Sequence, residues 1–193
     1  MANLFDGLPG RLIAGVMAKA NREAEVEAVS RLAPSPTDLV LVVGFGPGVG
    51  VKLLAERLTS GRIVGLDPSR AMVRAATRAN RAGVASGKVT LHATTAEAAT
   101  LEAEAFDGAV AVNALQLCEP LARTAQALAS AMKPGALLVS LTHDWALARH
   151  AGSVEAWTAM AYEAFLRADF GEIESRRGEA ENGRIVVFTA RRA

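Results

Sequence analysis

Cysteine is almost absent from this sequence, which contains Cys118 and no other. A single cysteine excludes an internal disulfide and any zinc cluster built from cysteines. Long apolar runs are also missing, so no stretch of the sequence predicts a membrane span. Asp6, Pro9 and Gly10 interrupt the first residues before the apolar segment of a signal peptide develops. Together these absences predict a cytoplasmic protein with no metal site and no membrane partner.

The sequence also lacks an excess of charge of either sign. Its 193 residues include 21 Lys+Arg and 20 Asp+Glu, which gives a formal net charge of +1. This balance provides no basic surface for nucleic acid, and we therefore expect no nucleic-acid partner. By contrast, 51% of the residues are hydrophobic. A chain of this length and composition predicts one folded domain with a sizeable core.

Short apolar runs alternate with segments of helical periodicity along most of the chain. Such alternation is typical of a mostly parallel sheet that helices cover on both faces. Asn182-Gly183, between the last two runs, is a strong hairpin signal. The predicted strands are residues 39–43, 62–66, 89–92, 106–112, 136–142, 172–177 and 184–190, and the predicted helices are residues 8–32, 51–58, 70–82 (closed by Gly83), 121–132 and 154–166, with a helical turn at 94–98.

The first predicted strand runs directly into a loop with glycine at alternate positions, Gly44-x-Gly46-x-Gly48-x-Gly50. Glycine allows positive φ and close approach of a ligand to the backbone, and a helix N-terminus that follows presents free N–H groups. The loop is therefore a candidate nucleotide-binding turn. Its spacing does not fit the dinucleotide pattern G-x-G-x-x-G, because Val49 or Val51 stands at the third glycine position, and Lys52 lacks the Walker spacing.

Polar or small residues follow the ends of the other predicted strands. Asp67 follows the second strand, where a carboxylate can accept hydrogen bonds from both hydroxyls of a ribose. The alternative for Asp67 is a helix cap before Pro68 and Ser69; the glycine loop one βα unit earlier favours ribose binding. The remaining ends carry residues 94–97, 113–116 and 143–144. A ligand crevice is predicted outside these carboxyl ends.

His143, at the end of the fifth predicted strand, is the candidate general base, because a neutral imidazole is available near pH 7. The alternative is a histidine that only forms hydrogen bonds at the crevice rim. Asp144 either orients His143 or caps a helix. His92 and His150 are expected to be structural or solvated.

Taken together, these motifs resemble the class I S-adenosylmethionine-dependent methyltransferases of small-molecule type. The resemblance is carried by the glycine loop, by Gly65-Leu66-Asp67, by Phe106-Asp107 and by Lys133-Pro134-Gly135 before strand five. The hairpin is similar to the antiparallel seventh strand that the family inserts beside the fifth. The resemblance implies an α/β fold with a Rossmann-like, doubly wound, mostly parallel seven-stranded sheet and an antiparallel C-terminal hairpin strand. It implies a single domain, residues 1–193, with a helical cap at 1–36 and a core at 37–193.

The same resemblance implies S-adenosylmethionine as the cofactor and S-adenosylhomocysteine as its product. The methionine and ribose side of the cofactor would be lined by Gly44, Phe45, Gly46 and Gly48, and the ribose hydroxyls would be held by Asp67. The adenine would be flanked by Pro68 and Met72, and its amino group would be read by Thr95 and Ala96. The residues beneath the methionine portion would be Asn113 and Ala114. Two positions depart from the family. Val42 and Thr95 stand where the family often has an acid, which suggests weaker cofactor binding or replacement contacts from elsewhere.

The acceptor is predicted to be a small, fairly apolar molecule. Residues 113–116 lack the Asn/Asp-Pro-Pro-Tyr/Phe motif of the family members that methylate amino groups of nucleic acid or glutamine, although Gln116 could contact substrate. Two other functions stay open: a non-methylating relative that binds S-adenosylmethionine or its product, and a nicotinamide-dependent reductase. The N-terminal helical segment is either a lid over the crevice or a helix packed on the sheet edge. The aromatic and large side chains near the C-terminal helix either wall the acceptor pocket or belong to the core: Trp145, Trp157, Met160, Tyr162 and Phe165.

Overall fold

The computed structural model describes residues 21–193, so the part of the first predicted helix before residue 21 lies outside the described residues. Seven strands form one sheet in the order β3-β2-β1-β4-β5-β7-β6. Strands β1 to β5 pair in parallel, and β7 pairs antiparallel with β5 and β6. The predicted sheet and its C-terminal hairpin are therefore confirmed. The strands are β1 (Leu39–Val43), β2 (Arg62–Leu66), β3 (Val89–His92), β4 (Phe106–Val112), β5 (Met132–His143), β6 (Phe170–Ala180) and β7 (Gly183–Arg192).

Helices cover both faces of this sheet. Helix α1 is described over residues 21–32. Alternate side chains of the central strand β1 point to opposite layers: Val40 and Val42 pack with helices α1 to α3, whereas Leu41 and Val43 belong to the cluster of α5 and α7. A strand buried on both faces has the continuous apolar run seen at 39–43. The other helices are α2 (Val49–Arg57), α3 (Arg70–Ala79), α4 (Arg81–Ala85), α5 (Leu121–Ala131), α6 (Asp144–His150) and α7 (Val154–Arg167), with a 3₁₀ turn at Leu115–Leu117.

The start of β5 and the end of the third predicted helix were predicted wrongly. Strand β5 begins at Met132 and not at residue 136, because Phe106 pairs with Met132 before a register shift that accommodates Pro134 and Gly135. The helix predicted to close at Gly83 ends at Ala79 and is followed by α4. The break lies at Asn80, whose backbone leaves regular helix geometry. The side-chain amide of Asn80 donates hydrogen bonds to two backbone carbonyls.

The hairpin differs from its prediction by one residue at the turn. Ala180 pairs directly with Gly183, so the connecting residues are Glu181 and Asn182. Gly183 has a φ of +116°, a conformation that favours glycine. His150, which was expected to be structural or solvated, is the last residue of α6 and is exposed.

Helix α1 packs against the face of the sheet rather than its edge. Ala24 and Ala28 contact the cluster formed by β4, β5 and β7, and Val29 belongs to the cluster of α2 and β1. Val26, on the same helix, is exposed. The division into a cap and a core stays a prediction. Within residues 21–193, no helix is both long and apolar enough to cross a membrane.

Candidate functional site

The glycine loop lies at the carboxyl end of β1, where the chain turns into α2. Gly44, Gly46 and Gly48 adopt φ values of +66°, +52° and +88°. The Gly44 N–H donates to the Leu66 carbonyl at 2.7 Å, which ties the loop to the end of β2. All three conformations are costly for residues with a Cβ, which explains the alternate glycines.

The glycines of the loop face different neighbours. A Cβ on Gly44 would lie 2.4 Å from the Cβ of Ala114, and a Cβ on Gly48 would lie 2.8 Å from that of Ala76. These two glycines therefore allow close packing against the end of β4 and against α3. A Cβ on Gly46 would have no neighbour within 4 Å. Gly46 is thus the position where the loop leaves its backbone open to a ligand.

Phe45, predicted to line the cofactor, has a side chain that is 1% exposed. Its ring packs over Gly65, where an added Cβ would lie 2.7 Å from the ring. The ring belongs to the core cluster of β1, α2 and α3. The ring of Phe45 therefore does not line the crevice.

Asp67 is held firmly at the end of β2. Its Oδ2 accepts from the Gly46 N–H and its Oδ1 accepts from the Ser69 N–H, both at 2.9 Å. Burial raises the pKa of Asp67, and these two backbone donors oppose that rise. Each oxygen keeps a lone pair for a further donor. The cap of α3 is Ser69, whose Oγ accepts from the Met72 N–H, so Asp67 is not needed as the cap itself.

The predicted adenine side lies between the ends of β2 and β3. Pro68 is exposed, Met72 is buried, and a single turn closed by the Ala99 N–H on the Thr95 carbonyl follows β3. Ala96 is buried in the core. A cleft of about 310 Å³ opens beside this turn. Its wall includes Thr94, which belongs to the strand-end residues predicted to face the crevice, and His92, which was expected to be structural or solvated. The sequence signal that could have placed His92 at the crevice was its position at the end of β3.

Asn113 and His143 meet at the carboxyl ends of β4 and β5. Asn113 has a φ of +50° and its Oδ1 accepts from the His143 backbone N–H at 2.9 Å. Its Nδ2 donates to Asn21 Oδ1 at 3.1 Å, and its amide lies 3.0 to 3.2 Å from His143 Nδ1. Asn113, and not Asp144, therefore orients the imidazole of His143. The carboxylate of Asp144 lies 3.7 Å from the guanidinium of Arg177. Ala114, next in the chain, is buried against Gly44.

His143 is almost fully buried, and its ring stacks on Trp145. Burial lowers its pKa below the usual value of 6.5, while the charges of Asp144 and Glu23 oppose that shift. The ring is therefore neutral at pH 7. Its Nε2 is buried and has no hydrogen-bond partner among residues 21–193. Of the two ring nitrogens, Nε2 is therefore the one that no described residue engages.

The large side chains near α7 divide into two groups. Trp157 and Phe165 are buried in the core, whereas Trp145, Met160 and Tyr162 are about half exposed. The core interpretation is thus right for the first two. In the part of the chain that the structure describes, no group of His, Cys, Asp and Glu side chains could hold a metal ion.

The crevice fits S-adenosylmethionine at two points. The open backbone at Gly46 accommodates a ligand without a Cβ in its path, and the fixed carboxylate of Asp67 has lone pairs free for the two ribose hydroxyls. Asn113 and Ala114, which follow β4, are small and carry no charge, so they add no unpaired buried charge to this side of the crevice.

Comparisons with known proteins agree with this geometry. Residues 40–135 match the family model described as a methyltransferase domain. No curated protein matches the sequence. The geranyl diphosphate C-methyltransferase of Streptomyces coelicolor A3(2) is 12% identical with a TM-score of 0.72, over 88% of this chain and 78% of that one. The magnesium protoporphyrin IX methyltransferase of Synechocystis PCC 6803, solved with bound S-adenosylmethionine, is 18% identical with a TM-score of 0.71, over 92% of this chain and 82% of that one.

A third similar structure is the cyclase SpnF, which is 19% identical with a TM-score of 0.69, over 88% of this chain and 79% of that one. At identities below 20%, these likenesses establish the fold. The match to the methyltransferase domain model supplies the family.

Proposed function

Because the chain belongs to the class I S-adenosylmethionine-dependent methyltransferases, we propose that it methylates a small, fairly apolar acceptor. The observation that carries the proposal is the pairing of an open Gly46 backbone with the fixed Asp67 carboxylate at one edge of the sheet. The near-zero net charge and single cysteine support the further parts of the proposal, a cytoplasmic location and no nucleic-acid partner.

S-adenosylmethionine supplies a methyl group activated on a sulfonium. The task of the protein is then to hold donor and acceptor in line and to exclude water. In the proposed arrangement Asp67 binds the ribose, Pro68 and Met72 flank the adenine, and Thr95 and Ala96 lie at its amino group. Gly44, Phe45, Gly46 and Gly48 form the loop on the methionine and ribose side, and Asn113 and Ala114 form the floor.

The proposal for the acceptor is based on the charge balance of the sequence and on the residues that follow β4. No excess of basic residues accompanies the crevice in the sequence, and residues 113–116 lack the motif for nucleic-acid or glutamine substrates. The Streptomyces enzyme with this fold is a geranyl diphosphate methyltransferase, and SpnF is a cyclase. The apolar geranyl chain of the first enzyme's substrate supports an apolar acceptor. The cyclase shows why an assay must distinguish methyl transfer from another activity on the same fold.

Calorimetry with S-adenosylmethionine, S-adenosylhomocysteine and NADH tests the proposal. We expect binding of the first two and not of NADH. Asp67→Ala is expected to weaken S-adenosylhomocysteine at least about tenfold, because it removes a charged hydrogen-bond acceptor. Asp107→Ala is the matched control, since that carboxylate also accepts a backbone N–H, from Leu39 at 2.8 Å, but lies at the opposite end of β4.

Binding of NADH alone would refute the methyltransferase proposal. Equal affinities for wild type and Asp67→Ala would remove Asp67 from the ribose site. Binding of S-adenosylmethionine without methyl transfer to any acceptor in a panel of small apolar alcohols, amines and enols would favour the non-methylating relative.

We further propose His143 as the general base for acceptors that must lose a proton. The role requires the tautomer in which Nδ1–H donates to Asn113 Oδ1, at 3.2 Å, so that Nε2 keeps its lone pair. With a pKa below 6.5, the base is active at pH 7, and kcat/KM should rise with pH below about 6.5 and then level off.

His143→Ala is expected to lower kcat about 100-fold and to remove the acidic limb of the pH profile. The measurement is initial rate against pH with the best acceptor found in the panel. His150→Ala, which removes an exposed histidine at the end of α6, serves as the control. Wild-type turnover in His143→Ala would exclude the base role.

A further inference from the structure

Glu25 is an acidic residue that lies on the buried side of α1. Its side chain is 6% exposed. Burial raises its pKa to about 8, and no neighbouring cation lowers it. Within residues 21–193, no cation or hydrogen-bond donor is paired with the carboxyl group. A buried acid without a partner is costly to keep, so its presence requires an explanation.

The carboxyl group of Glu25 lies against the fourth glycine of the loop. A Cβ on Gly50 would lie 2.2 Å from Glu25 Oε2 and 3.1 Å from its Cδ. Gly50 is in the first turn of α2, immediately after the glycine loop. Gly50 therefore leaves the space that this carboxyl group fills. Since no acidic residue of α2 itself stands in that first turn, Glu25 brings the acid from another helix.

The neighbours of Glu25 on α1 place it between two parts of the proposed cofactor site. One turn earlier, Asn21 Oδ1 accepts from Asn113 Nδ2 at the end of β4. One turn later, Val29 packs in the cluster that includes Val42 of β1. The side chain thus emerges on the face of the sheet to which Val42 points. Val42 is apolar, so β1 contributes no carboxylate there.

We propose that Glu25 binds the α-ammonium group of the methionine portion of S-adenosylmethionine. This inference rests on the proposed function and adds a binding residue to its cofactor site. The methionine portion carries an ammonium cation. Among residues 21–193, the other buried carboxylate is Asp67, whose oxygens accept from the Gly46 and Ser69 N–H groups. An unpaired buried carboxyl group gains most from a ligand that supplies the missing positive charge.

Two probes that differ in the methionine portion test the proposal by calorimetry. S-adenosylhomocysteine carries the ammonium group, whereas 5′-methylthioadenosine has the nucleoside and the thioether but no amino acid. Glu25→Gln, which keeps the shape and removes the charge, is expected to weaken S-adenosylhomocysteine at least about tenfold. The affinity for 5′-methylthioadenosine should stay within about twofold. Glu27→Gln, on the exposed side of α1 beside Arg31, should change neither affinity.

Equal weakening of both probes in Glu25→Gln would overturn the proposal, because it would show a structural role for Glu25. Unchanged binding of both would overturn it as well. If wild type binds neither probe, the proposed function itself fails, and that outcome is separate from any effect of Glu25.

Gly50→Ala provides a second, independent perturbation. The added methyl displaces the carboxyl group, so this variant should also lose affinity for S-adenosylhomocysteine preferentially. In the Glu25→Ala background the same methyl meets no carboxyl group and should have little further effect. Additive losses in the double variant would contradict a shared site.

Discussion

Replacement of Gly44 by alanine is expected to lower the free energy of unfolding by about 3 kcal/mol. The new methyl would lie 2.4 Å from the Cβ of Ala114, and the backbone has a φ of +66°. Overpacking in a closed interior costs about 1–3 kcal/mol, and the left-handed conformation adds about 1 kcal/mol for a residue with a Cβ. Urea denaturation monitored by circular dichroism measures the change, provided that the slope stays constant.

Gly46→Ala is the matched control on the same loop. Its φ is +52°, but an added methyl meets no protein atom within 4 Å. We expect a loss of only about 1 kcal/mol in stability, together with a loss of affinity for S-adenosylhomocysteine, because the methyl enters the crevice. Equal destabilisation by both substitutions would contradict the assignment of Gly44 to packing and Gly46 to the ligand.

The bounds of β1 to β4 could be predicted because each strand is a short, mostly apolar run with a glycine or a polar residue next to at least one of its ends. The start of β5 could not, since Pro134 and Gly135 are typical of a chain break. Pairing with Phe106 and a register shift overrode that local signal. The break at Asn80 depended on carbonyls of both α3 and the glycine loop, and no local pattern encodes such a contact.

The structure brings the motif residues together at the carboxyl ends of the parallel strands, but the motifs do not encode the direction in which each residue faces. Four alternate glycines look equivalent in the sequence, yet Gly44, Gly48 and Gly50 face protein atoms and Gly46 alone of the four does not. Phe45 was assigned to the cofactor from its place in the loop, and its ring turned into the core. The direction in which each loop residue faces depends on its φ and on the packing of elements that are distant in the sequence.

Glu25 was missed because an acid among other charged residues of a helix is typical of a solvated face. The helical spacing of Ala24, Ala28 and Val29 around it indicated a buried position. Val42 stands where the family often has an acid, and this difference also predicted cofactor contacts from another part of the chain. Neither signal alone specified Glu25, since its contact with Gly50 joins two residues that are 25 positions apart in the sequence and lie on different helices.

Glu25→Gln is expected to stabilise the folded protein by about 3 kcal/mol at pH 7. The pKa of Glu25 rises from 4.5 to about 8 on folding, so the unfolded chain loses its proton well before the folded one. The stability that the protonated form provides is therefore complete below pH 4.5 and is lost as the pH rises toward 8. Each pH unit in that window costs about 1.4 kcal/mol, and glutamine, which cannot ionise, avoids the cost.

The pH dependence separates this effect from a general improvement in packing. Urea denaturation should show little difference between wild type and Glu25→Gln at pH 4, and a difference that grows up to pH 8. Glu27→Gln, which alters an exposed acid on the same helix, should show no such growth. A difference independent of pH would contradict the buried, unpaired state of Glu25. Since the same substitution is expected to weaken S-adenosylhomocysteine, a gain in stability with a loss of binding would show that the carboxylate is retained for its ligand.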